Sequence, residues 1–434
     1  VKGRLSQLAK KTDSGKTVPG CCGIGHTRWA THGEPSMQNA HPHYSDDQNV
    51  VVVHNGIIEN YLELKEKLLK SGYTFYSQTD TEVITKLLDY YYKKYQKNTL
   101  EAIVKVMLRV RGSYALGIML KEEPGVIYSV RKDSPLIVGR NDQGSLIASD
   151  VPAILKYTRS VYYIDNLEIA RLTRDEVTFY NIDKEEIEKE PVEIKWDAEA
   201  AEKGGFEHFM MKEIHEQAKA VRDTLGSYIK DGRIDLSAVG LSDEEIRKIS
   251  RLYIVACGSA YHVGIAAKYV IEDLAEIPVE VDLASEFRYR NPILDPDSLV
   301  VIISQSGETA DSLAALREAK SRGVRTLAVV NVVGSSIPRE ADNVFYTMAG
   351  PEIAVATTKA YSTQLIASYL MAVHFALVRG AIDEAYYGKL VNELLALPEK
   401  ISKVLEDKER LQWFSSKFSS VHDIFFIGRG LDYA

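Results

Sequence analysis

Cysteine is scarce: the chain holds three in 434 residues. Two of them, Cys21 and Cys22, are neighbours, and neighbouring cysteines rarely bridge one another. A disulfide framework is excluded, and a reducing compartment, the cytoplasm, is expected. Basic residues are outnumbered, with 53 Lys and Arg against 61 Asp and Glu and a formal net charge of -8. That balance argues against nucleic acid as a partner, although phosphate binding is a local matter and stays open. Long apolar runs are missing too. The most membrane-like stretch, Ile366 to Val378, is too short to span a bilayer and contains His374. A buried helix is expected there, and no membrane. No signal-peptide pattern opens the sequence as it stands. Five of the ten histidines precede Asn55. They form no helical pair with a carboxylate, and Cys-x-x-Cys is absent, so neither a metal nor a cofactor is expected.

What is there divides by pattern. Val50–Val53 is β-rich and leads into apolar positions at helical spacing: Ile58, Tyr61, Leu62, Leu64, Leu68 and Leu69. A helix is expected to follow Gly56, ending at Gly72. Two more follow, over 80–95 and around 100–110. Short β-like runs separated by turns then suggest an antiparallel meander. Residues 1–195 therefore read as one α+β domain, and 196–245 as a helical connector. From Leu252, near-continuous apolar strands alternate with helices, which signals a doubly wound parallel sheet over 246–385. A long helical stretch at 358–414 closes that domain. The final run "FFIGRGLDY" repeats "IVACGSAY", aligning Ala256, Gly258 and Tyr261 with Gly428, Gly430 and Tyr433. A second α/β copy is expected to begin there with a strand. A start at Val1 and an end on that half unit make both termini look like cuts.

Three motifs carry chemistry. "SQSGETADS", Ser304–Ser312, sits where an apolar strand becomes a helix. A helix start offers N–H groups and a partial positive charge, and Ser304, Ser306 and Thr309 add hydroxyls, so a phosphate can be held without Lys or Arg. An ordinary serine cap followed by a glycine turn is the bland alternative. Ser259 stands at the same edge after the first strand, Thr357 stands before a helix that it could simply cap, and Cys257 is expected to be a packed thiol. "HNG", 54–56, places an Asn amide beside a backbone N–H, as an oxyanion hole requires. Asn-Gly is equally a hairpin signal. Arg28 and Asp80 supply the cation and anion that a zwitterionic amino acid needs, although each alone is more often a surface charge.

"HTRWATHGEPS", "VHNGIIENY" and "SQTDTEV" resemble the glutaminase domain of the glutamine–fructose-6-phosphate aminotransferases (isomerising), also called glucosamine-6-phosphate synthases. "ACGSAYHVG", "SQSGETADS", "AGPEIAVATTKAY" and "FFIGRGLDY" resemble that family's sugar isomerase (SIS) portion. The resemblance implies a truncated αββα N-terminal-nucleophile glutaminase domain at 1–195. It also implies a first SIS domain at 246–385, and connecting helices with the start of a second at 386–434. It implies transfer of the amide nitrogen of glutamine to fructose 6-phosphate, giving glucosamine 6-phosphate and glutamate, the entry to amino-sugar biosynthesis. By motif, Arg28, Thr31, His32 and Asp80 would hold glutamine, Asn55 and Gly56 would form the oxyanion hole, and Trp29 would gate ammonia. Ser304, Gln305, Ser306, Thr309, Ser259 and Thr357 would bind the sugar phosphate. A homodimer is implied. The family's nucleophilic cysteine, and its isomerase Lys, Glu and His, find no counterpart in the sequence. Cys22-Gly23-Ile24 imitates the nucleophile's start but is internal, without an α-amine as base. The sequence by itself is therefore expected to bind rather than turn over. Ala260 replaces a frequent serine. The alternatives are a non-catalytic sugar-phosphate-binding SIS protein and a deglycase-like isomerase, the latter leaving "HTRWATHG" without a role.

Overall fold

The computed structural model describes residues 1–28, 33–194, 196 and 202–434. The chain divides into two compact units, Val1–Lys195 and Trp196–Ala434.

The first unit opens with a short exposed helix, α1 (Leu5–Lys11), followed by β1 (His43–Tyr44), β2 (Val50–Ile58), α2 (Tyr61–Lys70), α3 (Asp80–Lys94) and α4 (Thr99–Arg109). Then come β3 (Gly112–Leu120), β4 (Ile127–Lys132), β5 (Ile137–Asn141), β6 (Gly144–Ala148), β7 (Ser160–Tyr163), β8 (Ile169–Leu172), β9 (Val177–Tyr180), β10 (Glu186–Ile187) and β11 (Val192–Glu193). They form a seven-stranded sheet, β1-β2-β3-β4-β8-β9-β10, and a four-stranded sheet, β11-β7-β5-β6, with antiparallel pairings throughout. Alternation along the strands divides their side chains between two cores. Val50, Val52, Leu116, Ile118 and Val130 pack under α2, α3 and α4, while Ala115, Ala170, Leu172 and Phe179 meet Val138 of the second sheet. The described layers are thus helix, sheet and sheet, with the turns at 151–157 laying Ile154 against Gly139 of β5.

One sequence expectation fails here. The helix that follows Gly56 does not begin at Ile58, the first of its apolar positions: β2 runs nine residues through His54, Asn55 and Gly56 to Ile58, and α2 begins at Tyr61. The apolar residues Ile57 and Ile58 belong to the strand's own ladder, paired with Ser113 and Gly112. Periodicity over so short a run does not separate a strand end from a helix start.

The second unit contains α5 (Phe209–Tyr228), β12 (Ile229–Lys230), β13 (Arg233–Ile234), α6 (Asp243–Lys248), β14 (Arg251–Ala256), α7 (Ser259–Ala275), β15 (Val279–Leu283) and α8 (Ala284–Phe287). It continues with β16 (Ser298–Ser304), α9 (Ala310–Ser321), β17 (Arg325–Val330), α10 (Ser336–Glu340), β18 (Asn343–Tyr346), α11 (Lys359–Arg379), α12 (Glu384–Leu395), α13 (Leu397–Leu405) and α14 (Lys408–Lys417). Five parallel strands lie in the order β15-β14-β16-β17-β18. One face is covered by α5, α7, α11 and α12, the other by α8, α9 and α10. The stretch read as a connector thus supplies α5, whose Val221, Leu225 and Tyr228 enter the same core as the sheet. Among the described residues, one helix, α11, is long and apolar enough to cross a membrane. It is a core helix here, with Ala367, Leu370, Ala372 and Ala376 fully buried.

The strand expected at the end does not form. Residues 422–428 have no regular structure, and Phe425, Phe426 and Ile427 are almost fully exposed. A parallel strand exists only through ladder partners, and this run pairs with none among the described residues. The repeat does persist in backbone form. Gly258 and Gly430 both adopt φ 57°, one directly before α7 and the other opening a short 3-10 turn at Gly430–Tyr433.

Candidate functional site

In the first unit, β2, β3 and the start of α3 enclose a cleft of roughly 690 Å³. Its lining includes Arg28, Asn55, Gly56 and Asp80, bringing the Asn55–Gly56 motif and the Arg28–Asp80 pair into one site. Thr79 caps α3 by accepting the Glu82 N–H, which puts Asp80 in the first helical turn, where the helix dipole favours an anion. Asp80 is buried, and its Oδ2 accepts the Ile58 N–H at 2.9 Å, tying the helix start to the end of β2. Arg28 has φ 56°, and its guanidinium donates to the Gly33 carbonyl at 2.9 Å and the Glu34 carbonyl at 3.3 Å. Gly56 has φ 130°. A Cβ there would sit 2.2 Å from the Ser113 carbonyl oxygen, so only glycine fits. Trp29, Thr31 and His32 lie outside the described residues.

Of the histidines that raised the metal question, His26, His41 and His54 line this cleft. His26 and His41 have ring centroids 4.6 Å apart, and His41 and His43 5.1 Å apart. The Thr81 hydroxyl lies 3.0 Å from His54 Nδ1 and 3.1 Å from His41 Nε2. His43 bridges the Tyr76 and Thr79 hydroxyls, each at 3.0 Å. Burial is the first cause that lowers His43 to about 4 and His41 to about 2, keeping those two rings neutral near pH 7. Among the described residues no three His, Cys, Asp or Glu groups converge to hold a metal. The sequence signal for this cluster was the crowding of histidines before Asn55; their inward packing had none. Cys22 does not line the cleft, and burial pushes its thiol up. Because Cys22 lies outside the lining, Cys22→Ser should leave glutamine affinity within twofold by titration calorimetry.

In the second unit, a pocket of roughly 680 Å³ opens at the carboxyl ends of the parallel strands. The chain leaves β14 toward β15 on one side and returns as β16 on the other, so the pocket sits at the topological switch point. Ser259, Ser304, Gln305, Ser306, Thr309 and Thr357 all line it, together with Ala260. Three helix starts meet here: α7 after Gly258, α9 after Thr309 and α11 after Thr358. Thr309 does not cap α9; its hydroxyl instead meets buried Ser304 Oγ at 2.9 Å. The Gly307 N–H donates to Ser304 Oγ at 3.1 Å, and the Glu308 N–H to Ser306 Oγ at 3.2 Å. Gly307 is wedged against α10, where a Cβ would lie 2.0 Å from Ser335 Oγ. The result is a rigid, hydroxyl-lined loop without a lysine or arginine in the lining.

Cys257, Ile303, Glu352, Ala354, Val355 and Gln364 also line this pocket. Cys257 is half-buried, and burial raises its thiol. Lys359 points elsewhere: it is buried and paired with Glu216 of α5 at 2.7 Å. Glu213, also on α5, accepts the N–H groups of Ile353 at 2.6 Å and Ala354 at 3.1 Å. These anchors from α5 carried no sequence signal, because alternating charges on a helix read as solvent-facing.

Residues 26–156 match the glutamine amidotransferase domain family, and residues 245–374 the SIS domain family. The chain is 55% identical over 435 residues to the glutamine–fructose-6-phosphate aminotransferase [isomerizing] of Caldanaerobacter subterraneus subsp. tengcongensis, covering all of this chain and 71% of that one. It is 54% identical to the protein of the same name from Clostridium tetani, with the same coverage. Against its Methanosarcina mazei namesake the identity is 47%, covering 96% of this chain and 69% of the other. Among solved structures, the C-terminal domain of glucosamine-fructose-6-phosphate aminotransferase from Francisella tularensis superposes with a TM-score of 0.52 at 39% identity. That match covers 54% of this chain and 66% of the other.

Proposed function

The chain belongs to the family of glutamine–fructose-6-phosphate aminotransferases (isomerising), and from that premise we propose that its two pockets take the two substrates of that reaction. The amide nitrogen of glutamine passes to fructose 6-phosphate, yielding glucosamine 6-phosphate and glutamate. In the first unit, Arg28 takes the α-carboxylate of glutamine and Asp80 the α-ammonium, an opposite-charge pairing suited to a zwitterion. Those contacts direct the side-chain amide along β2 toward Asn55. The Asn55 amide and the Gly56 N–H would receive the negative charge that develops on the amide oxygen when the family's cysteine thiolate adds to the amide carbon. Trp29, Thr31 and His32 complete that pocket by family likeness. In the second unit, the loop Ser304–Thr309 holds the phosphate with hydroxyls and the open start of α9. Ser259 and Thr357 serve the same ligand. The likeness spans both units, which does not favour a non-catalytic sugar-phosphate-binding protein. A homodimer in the cytoplasm fits the family and the three cysteines, none of which is in a disulfide.

The observation that carries the acceptor assignment is the cationless, hydroxyl-lined pocket at the switch point of the parallel sheet. Titration calorimetry with fructose 6-phosphate tests it. The double variant Ser304→Ala with Ser306→Ala should lose at least tenfold in affinity, since hydrogen bonds to a charged group are the stronger kind. Its thermal melt should confirm that it is folded. Unchanged affinity in a folded double variant would remove the acceptor from the assignment.

A further inference from the structure

Glu352 is the one carboxylate among the lining residues of the second unit's pocket, and no cation accompanies it there. A negative charge beside a site for a dianion calls for a reason, because like charges at close range repel. Its contacts supply one. Glu352 Oε1 accepts the Thr358 N–H at 2.9 Å and the Ala360 N–H at 3.1 Å, and Oε2 accepts the Thr357 hydroxyl at 2.7 Å. The carboxylate thus caps α11 from six residues upstream and neutralises that helix's positive end. At the starts of α7 and α9, which face the same pocket, Gly258 and Thr309 provide no side-chain cap, and Asp311 in the first turn of α9 is paired with Arg288 at 2.9 Å rather than lining the pocket.

We propose that Glu352 sets the direction in which a sugar phosphate enters this pocket. Of the three helix starts, two remain open to an anion and the third is closed by a fixed negative charge. The phosphate is steered to the α9 end, against Ser304, Ser306 and Thr309. The polyol end then lies toward Glu352, whose carboxylate oxygens, together holding three donors, keep lone-pair capacity for a sugar O–H. Glu213 holds Ile353 and Ala354 in place, so the carboxylate's wall of the pocket is preorganised before the ligand arrives. Glu352 is a specificity-determining residue, discriminating a phosphate ester bearing hydroxyls from phosphate itself.

This inference rests on the acceptor assignment above, and the experiment separates the two. Wild type and Glu352→Gln are titrated with fructose 6-phosphate, inorganic phosphate and n-hexyl phosphate. Glutamine keeps an oxygen for the Thr358 and Ala360 N–H groups, so the α11 cap survives while the charge is removed. Fructose 6-phosphate should bind the variant about tenfold more weakly, and inorganic phosphate equally or more tightly. In wild type, n-hexyl phosphate, which has the length but not the hydroxyls, should gain little over inorganic phosphate. A parallel loss for fructose 6-phosphate and inorganic phosphate would mean that Glu352 only builds the loop, and would overturn the inference. So would n-hexyl phosphate matching fructose 6-phosphate on wild type, a comparison that does not depend on the variant folding. Wild type that fails to prefer fructose 6-phosphate over phosphate would sink the acceptor assignment itself and this inference with it.

Discussion

Gly56→Ala should unfold or severely loosen the first unit, at a cost of at least about 3 kcal/mol, the range of substitutions that force steric strain into a buried ladder. Two effects add. At φ 130° a side chain is strained wherever it sits, and the new Cβ would collide with the Ser113 carbonyl carbon at 2.8 Å as well as with its oxygen at 2.2 Å. The partner strand cannot yield easily, because Gly112 has the reciprocal problem: its Cβ would meet the Ile57 carbonyl oxygen at 2.2 Å. Each backbone thus occupies the space a side chain would need on the other. Gly72→Ala is the control. It has φ 89° and nothing within 4 Å of a new Cβ, so it carries the dihedral strain alone, about 1 kcal/mol. Chemical denaturation should separate the two variants by at least about 2 kcal/mol, and equal losses would refute the packing argument. Glutamine binding should fall with Gly56→Ala, because Gly56 lines the cleft and the clash with Ser113 disrupts the strand pair that shapes it.

Acidification from pH 6.5 to 4 is the second large expected loss. His43 has an ordinary value of 6.5 and a folded value of about 4; His41 falls from 6.5 to about 2. The folded state keeps both rings neutral. Below pH 6.5 the unfolded chain gains protons that the folded chain refuses, so stability falls as pH falls. Above pH 6.5 neither state binds them, and these rings contribute no slope. Each costs about 1.4 kcal/mol per pH unit inside the window, so His43 accounts for about 3 kcal/mol down to pH 4, and His41 for a similar amount over the same interval. Burial is the first cause for both. At His43, Arg28, Lys86 and His54 oppose protonation further, while Asp80 favours it. Asp47, lowered from 3.8 to about 2, loses its contribution only below 3.8 and so falls outside this window. Unfolding free energies measured across pH should show an uptake of at least two protons between pH 6.5 and 4, since His26 and His374 are lowered in the same direction, and about one fewer in His43→Gln. A flat profile over that interval would contradict a neutral, buried histidine cluster.

The sequence alone determined where most elements lie. Helix spacing at 80–95 and 100–110, and apolar strands followed by glycine turns from Leu252 onward, are local consequences of which side chains can share one face. It also marked Ser304–Thr309, because a strand–Gly–helix junction is written in consecutive residues. Tertiary structure decided whatever depends on partners far along the chain. Whether Asn55 and Gly56 continue a strand depends on the ladder offered by residues 112–116. Whether Phe425–Ile427 forms a strand depends on a neighbour that no local pattern supplies. The carboxylate of Asp80 meets the N–H of Ile58, and that of Glu213 meets the loop at 353–354, across separations of 22 and 140 residues. Local sequence encodes dihedral preference and amphipathicity, but a buried charge finds its partner only when the fold brings distant segments together and removes the water between them.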